Sequence, residues 1–214
     1  MKKIALLFVL TIAICLVSCG EKVDEIKNTA EVIQNMSEAG EKVQEANDLV
    51  EKKIQERKSK GDTLAMNFND LMKYLPSTID GYTASEPEGS STNAMGFSFS
   101  QVSRSFSKTS GDNTQDIRIE LIDYNASYAY LSGLAYWTNM NISTESTNGF
   151  ERTVKTDIDN VFAYEKYQKD SKTASIMYVV AYRFILNIEG NGIDNIEVLK
   201  SVVNKIDLKK LASL

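Results

Sequence analysis

The sequence predicts an α+β domain: one twisted antiparallel sheet with helices packed on it, preceded by an N-terminal helical stalk. Three observations carry this expectation. From Gly20 to Asn67 there is no aromatic residue and no proline, whereas from Phe68 onward aromatics are dense; a core needs such volume and a stalk does not. Apolar residues alternate with period two in several short stretches joined by Gly-, Asn- and Asp-rich turns. Helical-period stripes stand before, between and after those stretches, without the repeated strand–helix units of a parallel sheet.

Taken in order, Val23, Ile26, Ala30 and Ile33 step by three and four, and Met36, Val43 and Val50 repeat every seven. Glu38/Lys42 and Asp48/Lys52 are opposite charges four apart, in the order that supports a helix. The pattern is a narrow apolar seam on a charged helix. It suits a coiled coil or partner-docking helix, a solvated spacer, or a helix folded back onto the domain. Ser59-Lys60-Gly61 breaks it. A second helix is expected from Asp62 or Thr63 to Leu75, with Leu64, Phe68, Leu71, Met72 and Leu75 on one face, stopped by Pro76. Asp80-Gly81 is a turn, and Tyr82 opens extended chain.

Met95–Phe106 reads as a strand with Phe97 and Phe99 inward, and residues 107–114 as a polar hairpin loop. Gln115–Tyr124 is a second strand with Ile117, Ile119 and Leu121 on one face. A helix capped by Asn125 or Ser127 is expected to reach about Met140, striped by Tyr130, Leu131, Leu134 and Trp137. Ile142–Thr147 and Phe150–Thr156 form a hairpin about Asn148-Gly149, a strong turn signal because both residues tolerate positive φ. Val161–Gln168 and Thr173–Ile188 form a further pair. The latter is apolar on both faces, which places it centrally. Asp194 and Glu197 resemble a capping box opening a last helix with Ile196, Leu199, Val203 and Ile206 buried.

Composition removes reaction classes. The chain has no histidine and two cysteines, Cys15 and Cys19. Cys–His and Ser–His catalysis lack their imidazole, and the usual zinc, haem, iron–sulfur and blue-copper ligand sets are missing. Carboxylate chemistry, Ser–Lys chemistry and oxygen-ligated calcium remain open.

The N-terminus reads as an address. Met1-Lys2-Lys3 precedes an apolar run, Ile4 to Leu16. About 13 residues are too few to span a bilayer core, which needs roughly 20, and suit a secretory signal. Leu16-Val17-Ser18-Cys19 then resembles the lipobox of bacterial lipoproteins. The resemblance implies cleavage before Cys19, acylation (palmitate included) of that cysteine, and anchoring through more than one chain, as stable binding requires. The expected parts are a signal peptide at 1–18, a lipidated Cys19 with a stalk at 19–61, and a single α+β domain at 62–214. Loss of Lys2 and Lys3 leaves 22 Lys+Arg against 29 Asp+Glu, a formal charge of −7. That balance suits a soluble, mildly acidic protein and not a nucleic-acid binder, which would show a basic face. Gly20 lacks the aspartate that favours inner-membrane retention in enteric-type bacteria. The expected location is therefore the outer membrane of a Gram-negative cell, or otherwise the outer face of the plasma membrane.

Element order over residues 75–214, with Gly81-Tyr82 at the opening strand, resembles the Mog1/PsbP-like fold of some envelope lipoproteins. That resemblance implies a mostly non-enzymatic domain; the long stalk departs from its compact members.

Ser105-Phe106-Ser107-Lys108 matches Ser-x-x-Lys, but at a strand end in a serine-rich loop and not at the helix start that chemistry needs. Asp157-Ile158-Asp159-Asn160 offers oxygen ligands but lacks the glycine and polar fifth position of a calcium loop, so it reads as a solvated turn. Arg183 lies within an apolar stretch, where a charge must find a carboxylate, reach an edge or face a ligand. Tyr130, Tyr136 and Trp137 are the other candidate surface residues. The expected function is a non-catalytic envelope module, without cofactor or metal, that binds an envelope protein or component. The alternatives are a carrier of a small hydrophobic ligand and a hydrolase using carboxylates or an oxygen-held metal.

Overall fold

The computed structural model describes residues 41, 44–45, 47–94, 97–125 and 141–214. The chain divides into two compact units, Met1–Glu41 and Lys42–Leu214, and everything below concerns the second. The expected helix after Asn125 lies outside the described residues.

Residues 41, 44–45 and 47–59 are helical, and the continuous stretch 47–59 is labelled α1. Helix α2, Phe68–Leu71, runs into a 3-10 turn at Met72–Tyr74. The strands are β1 (Thr83–Ala84), β2 (Glu88–Ala94), β3 (Phe97–Ser110), β4 (Asn113–Asp123), β5 (Ser143–Ser146), β6 (Gly149–Lys155), β7 (Val161–Gln168), β8 (Thr173–Val180) and β9 (Phe184–Asn191). Helices α3, Glu197–Val203, and α4, Leu208–Ala212, follow. Among the described residues the nine strands make one sheet in the order β1-β3-β4-β9-β8-β7-β6-β5, with β2 also on β3. Every pairing is antiparallel. The molecule is thus a large antiparallel sheet with a few short helices.

Period-two alternation builds the sheet's core face. Register aligns Phe106, Ile117 and Gly190 in one row and Val102, Leu121, Leu186 and Tyr178 in another. Leu71, Leu75 and Ile79 cover that face with Leu199, Val202 and Leu211 from the C-terminal helices and Ile206 from the link between them. Each such aliphatic side chain contributes about 1.5–3 kcal/mol on full burial. Strands β8 and β9 are central, as their two-sided apolar pattern requires.

Several expectations need correction. Thr173–Ile188 is not one strand: it folds into the β8–β9 hairpin, with Val180 paired to Phe184 across three turn residues. Ala181 and Tyr182 sit at φ +54° and +50°. No glycine, asparagine or proline announces that turn, so the alternation reads straight through it. Asp62–Leu75 is helical only from Phe68. The amides of Ala65, Met66 and Phe68 instead donate to the side chains of Ser98, Asp123 and Ser91, and Leu64 is 59% exposed. Strand β2 carries no apolar alternation because it is a fully exposed edge, held by backbone pairing with β3. The polar loop at 107–114 shrinks to Gly111-Asp112, as both strands of that exposed hairpin extend.

The Asn148-Gly149 hairpin forms one residue earlier, with Ser146 opposite Gly149. At Gly149, φ is +148° and a Cβ would collide with the Tyr167 carbonyl. The last helix is two. Asp194 pairs with Lys172 at 2.8 Å instead of capping, and Glu197 takes Lys200 at 2.8 Å. Asp207 caps α4, its Oδ1 accepting from the Lys210 amide at 2.9 Å.

Candidate functional site

Three places in the described unit concentrate polar chemistry or open space. The first is the turn between β8 and β9. It delivers Arg183 to the end of β4, where Asp123 is the last residue. Nε donates to Asp123 Oδ1 at 3.0 Å and Nη2 to Oδ2 at 2.8 Å, a two-pronged pair with good geometry. Nη1 donates to Asp62 Oδ2 at 2.7 Å. Asp123 is fully buried, and its remaining acceptor capacity is filled by the amides of Met66 and Asn125, each at 2.8 Å. The Arg183 guanidinium also lies 4.8 Å from the Phe184 ring centroid. Burial alone would lower the pKa of Arg183; the hydrogen bonds and charge of Asp123, with Asp62 added, overturn that and raise it. Arg183 is therefore a clamp among carboxylates, placed in a turn and not within a strand.

The second place adjoins it. Val50 and Ile54 of α1 are buried against Tyr182, with Leu49, Tyr124 and Phe162 beside them. Residues 47–59 of the expected stalk segment are thus helical and packed on the sheet. Arg57, one turn further on, is buried too. Its Nη2 donates to the carbonyl of Asn125 at 2.8 Å and to that of Tyr182 at 3.5 Å. No carboxylate lies in ion-pair reach of it among the described residues. Burial first, and then the charge of Arg183, push its pKa down. Arg57 Nε, Asn47 Oδ1 and both amide atoms of Asn125 are buried without a hydrogen-bond partner.

The third place is the other face of the sheet. Register puts Phe162 opposite Val179 and Tyr164 opposite Met177 on the side away from the helical core. They floor a hollow of about 560 Å³, rimmed by Lys155, Thr156, Asp159, Asn160 and Asn141. Tyr164 donates to Glu151 Oε2 at 2.9 Å. Burial, then that bond and the Glu151 charge, push its phenol up to about 12, so it is neutral at ordinary pH. An apolar floor with a rim of amides, hydroxyls and one charge of each sign suits holding a ligand or side chain.

The other singled-out residues fall as follows. Cys19, Tyr130, Tyr136 and Trp137 lie outside the described residues. Ser105 and Lys108 are inside β3, opposite Arg118 and Gln115, and Lys108 sits 5.8 Å from the Tyr82 ring centroid. Residues 157–160 turn between β6 and β7, and the Asn160 carbonyl accepts from Ala181 N at 2.8 Å, bracing the β8–β9 turn. Glu165, on the core face, is buried and held by Arg152 Nη2 at 3.0 Å. Among the described residues, no group of three or more His, Cys, Asp or Glu is placed to hold a metal ion, and no helix is long and apolar enough to cross a membrane. Sequence reasoning missed Arg57, Asp123 and Asn125. The available signal was spacing: Val50, Ile54 and Arg57 stand at i, i+4 and i+7 of one helix face.

No family model and no curated protein matches the chain. Among solved structures, the chain is similar to the extracellular domain of PknH from Mycobacterium tuberculosis. The identity is 9%, the TM-score 0.44, and the match covers 71% of this chain and 98% of that one.

Proposed function

We propose that the protein is a non-catalytic binding module of the bacterial cell envelope, anchored through lipid on Cys19, and that it holds an envelope protein or component on the second face of its sheet. One observation supports the binding surface most directly. The core face is closed by helices, while the opposite face keeps a hollow floored by Phe162, Tyr164, Met177 and Val179. An apolar floor with a few polar groups at its rim suits holding a ligand or a partner's side chain. The buried carboxylates point the same way: Asp123 and Glu165 are each engaged by a guanidinium, which leaves neither free as an acid or base. The anchor rests on the lipobox Leu16-Val17-Ser18-Cys19.

The test is cross-linking in intact cells of the full chain and of Met177→Asp, with mass spectrometry of the purified N-terminus. Capture of one envelope partner by the parent, lost in the variant while circular dichroism is unchanged, supports the surface. Equal capture by both removes it, and an unmodified thiol at position 19 removes the anchor. The hollow's volume also favours a second reading, a carrier of a small hydrophobic ligand. Native mass spectrometry of the freshly purified protein would then show a lipid-sized adduct that Met177→Asp no longer retains.

A further inference from the structure

We infer that α1 is a releasable strap: a helix latched over the β8–β9 turn that swings off as a unit while the sheet stays folded. It has a latch, a hinge and a fixed post, each from different residues. The latch is Val50, Ile54 and Arg57, one face of α1, set on Tyr182 and on the carbonyls of Asn125 and Tyr182. The hinge is Ser59–Gly61, where Gly61 holds φ +80° and has nothing within 4 Å of a Cβ position. The post is Asp62, tied to Arg183 at 2.7 Å. Because Arg183 is also held by Asp123, the post and the turn remain when the helix leaves.

The latch is made to be weak. Every buried side-chain atom left without a partner among the described residues belongs to this junction: Asn47 Oδ1, Arg57 Nε and the amide of Asn125. A buried donor or acceptor left unpaired carries a free-energy cost that a dry apolar seam does not. Arg57 adds a buried cation with no carboxylate in ion-pair reach among the described residues. The turn beneath is strained, with Ala181 and Tyr182 at φ +54° and +50°, and persists because the Arg183 clamp over-determines it. Release uncovers the Tyr182 ring, the neighbouring side of Phe162 and two main-chain acceptors. Those are groups that an amphipathic helix carrying an arginine can occupy, since α1 already does. The strap shares Phe162 with the hollow described above, while its latch residues Val50, Ile54 and Arg57 do not line that hollow.

Native-state hydrogen exchange on the full chain tests it. Amides of residues 50–59 should exchange at least about tenfold faster than those of β4 and β9, through an opening insensitive to low denaturant. Asn47→Leu, which replaces an unpartnered polar atom by apolar contact, should slow exchange in α1 several-fold and leave β4 and β9 unchanged. Val50→Asp should abolish protection in α1 and keep it in the sheet. Exchange of α1 in step with β4 and β9, no slowing in Asn47→Leu, or loss of sheet protection in Val50→Asp each overturns the inference.

Discussion

Arg183 and Arg57 are two buried guanidiniums in one neighbourhood, and they have opposite surroundings. Arg183 has three of its nitrogens on two aspartates, at 2.7–3.0 Å. Arg57 meets two carbonyl oxygens and has an unpartnered Nε. The pKa directions follow: raised for the first by its carboxylates, lowered for the second by burial and by the first. Burial therefore does not mark a charge as structural or functional; the completeness of its partners does. A complete set fixes the turn between the central strands, and an incomplete set pins a helix that can leave.

The same substitution at both positions should separate the two arginines most strongly. Arg183→Met leaves Asp123 buried and unpaired, and should cost about 3–5 kcal/mol in urea unfolding. A loss below about 1 kcal/mol would show that the cluster does not hold the turn. Glu165→Gln, which keeps size but removes the charge facing Arg152 and Lys200, should cost less, about 1–3 kcal/mol by the same measurement. Arg57→Met should change stability by no more than about 1 kcal/mol, in either direction, because no buried carboxylate is abandoned. A loss as large as that of Arg183→Met would erase the distinction between the two arginines.

The alkaline limb sharpens it further. Burial raises the phenols of Tyr178 and Tyr182, and Tyr164 titrates at about 12 against an ordinary 10.0. These groups favour the protonated form when folded. Their contribution is whole below pH 10 and is lost as pH rises from 10 towards 12. Unfolding midpoints should fall across that window, and Tyr164→Phe should shallow the fall. At the small end, Lys73→Ala breaks an exposed pair with Asp70 at 2.7 Å and should leave the unfolding midpoint unchanged within error.

Legibility in the chain followed how local each signal was. Period-two stretches at 115–124, 150–156 and 161–168 matched β4, β6 and β7 within two residues at each end. The two-sided apolar pattern of 173–188 placed its residues centrally and concealed the turn inside it. Arg183 stood out because a charge in an apolar run must be explained, but which carboxylate explains it depends on chain 60 and 121 residues away. Arg57 looked like one more charge on a charged helix.

Local chemistry alone settles the lack of imidazole, the acidic balance and most strand positions, because each depends on composition or on neighbours within a few residues. Folding in three dimensions chose the rest: where β2 pairs, how the amides at 65–68 abandon a helix for Ser98, Asp123 and Ser91, and how Ala181 and Tyr182 are held at positive φ. Those choices turn on the partners brought to a buried polar group from distant chain, and no local window contains both ends of such a bond.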